Sequence, residues 1–136
     1  MAGTMKDLYL TGLVFVLLIV LDAGYLTLRQ DYHNRLFQAI QQSPLRVRYG
    51  AAALVYVVLA VALVLGALRG ATSVRGAAMV GAVIGFIMYV FYDLTNMATL
   101  TRYTWEMVAV DSVWGGVLSA ATAGSAFWMA RKLKWL

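Results

Sequence analysis

The chain has 136 residues, of which 62% are hydrophobic by type and 12% charged, with no Cys and a formal net charge of +5. A soluble domain averages about 45–50% apolar and about 25% charged residues. These figures therefore exclude an ordinary aqueous globule, a disordered tail and a disulfide-stapled module. Without Cys there are also no thiolate metal sites, Fe–S clusters or Cys nucleophiles. An integral membrane protein remains.

A bilayer-spanning helix needs about 20 mostly apolar residues. The first such stretch is residues 8–28. Its hydrophobic run is too long, and its cleavage pattern too poor, for a signal peptide. Between it and the second span, Tyr32, Leu36, Phe37 and Ile40 fall on one helical face, and Asn34, Arg35, Gln38, Gln41 and Gln42 on the other. Residues 31–42 thus read as a short amphipathic helix in the membrane interface, stopped at Ser43-Pro44, with a polar loop as the alternative. The further spans are residues 49–68, 76–100 and 105–130. Barrel strands would alternate over about ten residues, which these runs do not. The expected fold is all-α: one polytopic membrane domain, residues 1–136, with four transmembrane helices in a single bundle.

Four spans put both termini on one side. That side carries Lys6, Arg69, Arg75, Arg131, Lys132 and Lys134, against Arg29, Arg35, Arg46, Arg48 and Arg102 opposite. The excess, with the Arg131–Lys134 cluster, places the termini in the cytoplasm. The basic residues flank the spans, so the expected partners are the lipid bilayer and anionic headgroups, not nucleic acid. Small residues recur every fourth position at Ala62, Gly66, Gly70; at Ala77, Gly81, Gly85; and at Ser112, Gly116, Ala120, Gly124. In lipid such stripes let helix backbones approach closely. They serve either packing within the chain or a homo-oligomer formed through the fourth span.

Three carboxylates stand inside the spans. Asp22 lies six residues before the end of the first span, Asp93 seven before the end of the third, and Asp111 six after the start of the fourth. At the helical rise each sits roughly 9–11 Å in from the same membrane face, opposite the termini. An Asp at the helix centre costs roughly 2.5–3.5 kcal/mol on insertion scales, so three at one depth point to a shared purpose. Tyr89, Asp93 and Asn96 share a helical face, bordered by Tyr92, Thr95 and Thr99; Ser112 and Trp114 stand near Asp111; Tyr25 follows Asp22 by one turn. Arg29 or Arg102 is placed to snorkel back and pair with an acid. If the carboxyls meet in low dielectric they cannot all ionise, and at least one is expected to hold a proton.

Tyr92-Asp93-Leu94-Thr95-Asn96, followed by Ala98-Thr99-Leu100, Trp105, Asp111 and Trp114-Gly115, resembles a bacterial family of small predicted membrane proteins of unknown function. Leu21-Asp22 and Tyr32 fit the same pattern, and the likeness spans nearly the whole chain. Departures are Tyr25, where the family often has Trp, and Ala53-Leu54, where it tends to an aromatic pair. The resemblance implies four helices and singles out residues, but it carries no activity. Phe15, Asp22 and Tyr32 also align with Phe86, Asp93 and Tyr103, the pattern of two like-oriented hairpins.

Three functions compete. The leading expectation is binding or transport of a proton, cation or small cationic solute by Asp22, Asp93, Asn96 and Asp111, with Tyr25, Tyr89, Tyr92, Thr95 and Trp114 around them. The second is a structural or accessory subunit whose polar layer only fixes packing. The third is an intramembrane hydrolase working with an aspartate pair. Enzymatic activity is not favoured, since no Ser–His pair is evident and His33, the single histidine, reads as a solvated interfacial residue. No cofactor is expected, and no metal is assigned. Three carboxylates without His or Cys would suit only a hard ion such as Mg²⁺ or Ca²⁺.

Overall fold

A computed structural model describes residues 2–136. It contains five α-helices: α1 (Ala2–Leu28), α2 (Gln30–Gln41), α3 (Tyr49–Leu63), α4 (Val74–Thr99) and α5 (Trp105–Lys132). A π-helical turn, Val64–Leu68, continues α3, and Arg69 N–H closes it onto the Val64 carbonyl at 3.1 Å. α1, α3 with its π turn, α4 and α5 are each long and apolar enough to cross a membrane. The chain is an all-helical membrane protein.

α4 starts ahead of its apolar stretch because a cap, not hydropathy, sets its first turn. Ser73 accepts a hydrogen bond from Gly76 N–H at 3.0 Å and so starts α4 two residues before the apolar run. Thr104 caps α5 through Met107 N–H at 3.1 Å, and that helix starts where its apolar run does. Glu106 in the first turn of α5 and Arg131 and Lys132 in its last complement the helix dipole. α2 stops where Gln42 turns left-handed (φ 57°) just before Ser43-Pro44.

α5 is the central helix. In its most apolar stretch 56% of residues are buried, against 17–33% in the other three spans, although its mean hydropathy is the lowest at 1.2. That inversion follows from the solvent: helices facing lipid must be apolar, whereas the helix enclosed by its neighbours carries Asp111, Ser112, Ser119 and Thr122. α4 lies against α5 at backbone distance. A methyl on Gly85 would stand 2.1 Å from Ser119 Oγ, and one on Gly115 would stand 2.2 Å from Tyr89 Cγ. The small-residue stripes of α4 and α5 are thus occupied within the chain; Gly124 faces Ala78 and Val74, and Gly116 faces Phe86. A homo-oligomer through α5 would have to use Val113, Val117 and Ala121, which point outward.

On the opposite flank, α1 and α3 bury Leu10, Val14, Leu18, Leu59 and Leu63 against Leu118 and Phe127 of α5. α3 meets α4 chiefly at its π turn, where Ile84 lies over Gly66, and the two helices diverge toward the other end of the bundle. Both chain ends lie together: Tyr9 and Trp135 rings are 5.4 Å apart, and Arg69 pairs with Asp7 beside them.

The amphipathic segment is a helix, yet its apolar face is turned onto the protein. Leu36 packs with Tyr103, Met107 and Val108, flanked by Tyr32, Phe37 and Ile40. Tyr32 Oη and Thr104 Oγ1 are hydrogen-bonded at 2.7 Å, and Arg102 Nη1 donates to the Ala39 carbonyl at 3.2 Å. α2 therefore roofs the end of the bundle away from the termini. A stripe of apolar residues records that a helix has a covered side, and here protein covers it. Arg102 is spent on this clamp and does not reach an intramembrane acid.

Candidate functional site: carboxyls beneath the helical roof

Each buried aspartate has its own set of partners. Asp22, one turn before Tyr25 on α1, accepts from Tyr56 Oη of α3 at 2.5 Å and from Trp114 Nε1 of α5 at 2.8 Å. One donor on each oxygen satisfies this carboxyl once water is removed. Asp93, fully buried, accepts from Tyr103 Oη at 2.5 Å and from Ser112 Oγ at 3.4 Å. Burial first, and then the Asp93 carboxylate, push the Tyr103 phenol far above its ordinary range, so it stays a donor across physiological pH.

Asp111 differs. Its carboxyl lies within hydrogen-bonding reach of Asp93, yet among the described residues no N–H or O–H group donates to it. Asp111 also faces a cavity of about 470 Å³ between α1, α3, α4 and α5, beneath α2. Asp22 and Asp111 supply its acidic floor, and Leu59, Met88 and Met107 part of its apolar wall. Tyr25, stacked on Trp114 at 4.4 Å and 11°, and Tyr89 add aromatic surface. Val55 of α3 and Tyr92 of α4 line the cavity while being 65% and 52% exposed. The cavity therefore opens sideways where α3 and α4 diverge.

The three carboxyls share a depth and a neighbourhood but do not converge. Among the described residues no three acidic or imidazole side chains meet at a point that could hold a metal ion. The rise per residue sets depth along a helix; it leaves the azimuth free, and Asp22 points to Tyr56 and Trp114 instead of to the Asp93–Asp111 pair. Asn96 is half-buried and lies by Tyr103, outside the cavity lining. Thr95 and Thr99 are exposed and bond back to the carbonyls of Phe91 and Thr95 at 2.7 and 2.9 Å, so neither joins the acids. Trp114 acts through its indole N–H on Asp22. Arg29 lies over the Tyr32 ring at 4.4 Å and 3.7 Å from Glu106, and it pairs with none of the three aspartates.

Tyr56 and Tyr103 escaped the sequence reading. Tyr56 stands seven residues into its span, which is the depth of the aspartates, so the same count would have found it. Tyr103 sits in the α4–α5 loop, where no periodicity applies. His33 is half-buried and lines the cavity roof; burial first, then Arg29, hold its pKa below the ordinary value. The two-hairpin repeat also fails at the site, because Tyr103 bonds Asp93 while its counterpart Tyr32 bonds Thr104 and not Asp22.

A family model described as "Predicted membrane protein (DUF2177)" matches residues 7–128, and the chain belongs to that family. No curated protein and no solved structure matches the chain.

Proposed function

We propose that this DUF2177 member binds a small organic cation in the cavity beneath α2, with Asp111 as the principal acceptor and Asp22 as the second carboxyl of its floor. The observation that carries the reading is the contrast among the carboxyls. Asp22 and Asp93 are supplied with donors, whereas Asp111 faces the cavity and receives none. A cation docking there would displace any proton held between Asp93 and Asp111, which couples binding to proton release. Tyr25 and Tyr89 offer ring faces to an ammonium, and the volume suits a small solute. The cluster of Arg131, Lys132 and Lys134 favours cytoplasmic termini and contact with anionic headgroups there, which puts the cavity in the outer half of the bilayer.

The accessory-subunit reading is supported by the same saturated bonds, since Tyr56–Asp22–Trp114 ties three helices together without any ligand. Hydrolysis by the Asp93–Asp111 pair is disfavoured, because Asp93 is fully buried and does not line the cavity, leaving a substrate access to only one acid of that pair. The test is titration of the protein in nanodiscs with alkyltrimethylammonium probes, read by thermal stability and proton release. Saturable stabilisation that is lost in Asp111→Asn is the expected result. No stabilisation of the native protein by any probe would leave the packing role alone.

A further inference from the structure

The roof of the cavity carries the opposite chemistry from its floor. At the α1–α2 junction, Tyr25 Oη, Arg29 Nε and Nη2, and His33 Nδ1 are all buried and make no hydrogen bond of normal length and angle, although Tyr25 Oη faces the Arg29 guanidinium and the His33 ring lies near the Arg29 backbone. Tyr25 and His33 line the cavity, their rings 6.0 Å apart, and the Arg29 guanidinium is their common neighbour. Buried donors without acceptors are uncommon, and leaving each one unmade costs free energy, more so for a charged group. Glu106 does not resolve this: its carboxylate is largely exposed and stands 3.7 Å from Arg29 Nη2, beyond hydrogen-bond distance. The Tyr32 ring covers one guanidinium face but accepts none of its in-plane N–H groups.

We propose that Tyr25, Arg29 and His33 form an anion subsite, so that the ligand is a zwitterionic amphiphile: a phosphate at the roof, an ammonium at the Asp111 floor and an alkyl chain leaving between α3 and α4. The inference rests on the cation reading of the floor and extends it. The guanidinium gives a phosphate paired, charge-assisted hydrogen bonds, and the phenol and the imidazole add two more donors. The neutral ring of His33 donates when its proton sits on Nδ1. The chain is implied by the cavity's shape. α2 is clamped over the aqueous end by the Tyr32–Thr104 and Arg102–Ala39 bonds, while the gap flanked by Val55 and Tyr92 faces the bilayer. A headgroup bearing both charges neutralises a site whose floor is acidic and whose roof is basic, which neither a simple cation nor a simple anion achieves.

The experiment compares four probes on the full chain in nanodiscs: lysophosphatidylethanolamine, an alkyltrimethylammonium, an alkyl phosphate and soluble phosphoethanolamine. The lysophospholipid is expected to bind tightest. Arg29→Gln should lower its affinity at least about tenfold relative to the alkylammonium, and Arg29→Lys should recover part of the loss. Tyr25→Phe, which keeps the stack on Trp114 and removes only the hydroxyl, should shift the same ratio in the same direction by less. An unchanged ratio in both Arg29→Gln and Tyr25→Phe would overturn the anion subsite while leaving the cation reading intact. Soluble phosphoethanolamine binding as tightly as the lysophospholipid would overturn the amphiphile and leave a free phosphoamine. Because the chain has no Cys, Val55→Cys and Tyr92→Cys can each be modified with a bulky maleimide. Blocked lysophospholipid binding is expected, and undiminished binding would overturn access between α3 and α4. Failure of both the alkylammonium and the lysophospholipid to bind the native chain would instead overturn the cation reading itself.

Discussion

The α4–α5 pair and the α3–α4 pair are neighbours in one bundle and are built on opposite principles. α4 and α5 touch through Gly81, Gly85 and Gly115, where no side chain larger than hydrogen fits. α3 and α4 touch at the π turn and then part, leaving Val55 and Tyr92 at the mouth of the cavity. With no water to drive helices together in lipid, contact depends on how closely backbones approach. Glycine therefore fixes the pair that must hold Asp93 against Ser112 and Asp111. The bulkier residues of α3, Val55 and Leu59, hold a gap open next to it.

The largest effect is expected from filling the tight seam. Gly115→Ala places a methyl inside the Tyr89 ring and should destabilise the protein by about 1–3 kcal/mol, the range for overpacking a close-packed interior. Gly24→Ala, on α1 with nothing within 4 Å, should be neutral or stabilising by up to about 1 kcal/mol. Thermal unfolding of both variants in detergent checks the contrast, and equal melting temperatures would refute it.

Next in size is the difference between Asp93→Leu and Asp93→Asn. Leu strands Tyr103 Oη and Ser112 Oγ in the interior, whereas Asn keeps an acceptor for one of them. Leu is expected to be the less stable variant by about 1–3 kcal/mol, measured the same way. On the looser flank, Tyr56→Phe removes one donor from Asp22 but leaves Trp114 in place. A loss of about 0.6–1.7 kcal/mol is expected, the span measured for interhelical hydrogen bonds in membranes. A loss as large as that of Gly115→Ala would show that α3 is held more firmly than its packing implies.

The smallest effect concerns the roof. The folded state holds the His33 pKa below its unfolded value near 6.5, through burial and then Arg29. The folded protein thus binds fewer protons than the unfolded chain, and stability rises with pH across that window. The contribution is complete above about pH 6.5 and is lost as pH falls through the folded-state value. Amide exchange in α2 should quicken on acidification from pH 7 to pH 5, and His33→Gln should remove that dependence. An unaltered dependence in the variant would assign it to other groups.

Hydropathy alone determined the spans, since lipid imposes length and composition on any helix that crosses it. The amphipathic pattern of residues 30–41 likewise marked a helix with one covered face, and the positions of Asp22, Asp93 and Asp111 along their helices gave a common depth. Azimuth and partner came only from tertiary structure. Local spacing cannot see that Tyr56 reaches Asp22 across 34 residues, that Trp114 does so across 92, or that Thr95 turns outward. Nor can it see that α2 folds back on Met107 and Val108, which buries the donors of Tyr25, Arg29 and His33. Depth follows from the fixed rise of one helix, whereas which side chains meet depends on how several helices rotate and cross, and that is decided by glycine contacts between segments far apart in the chain.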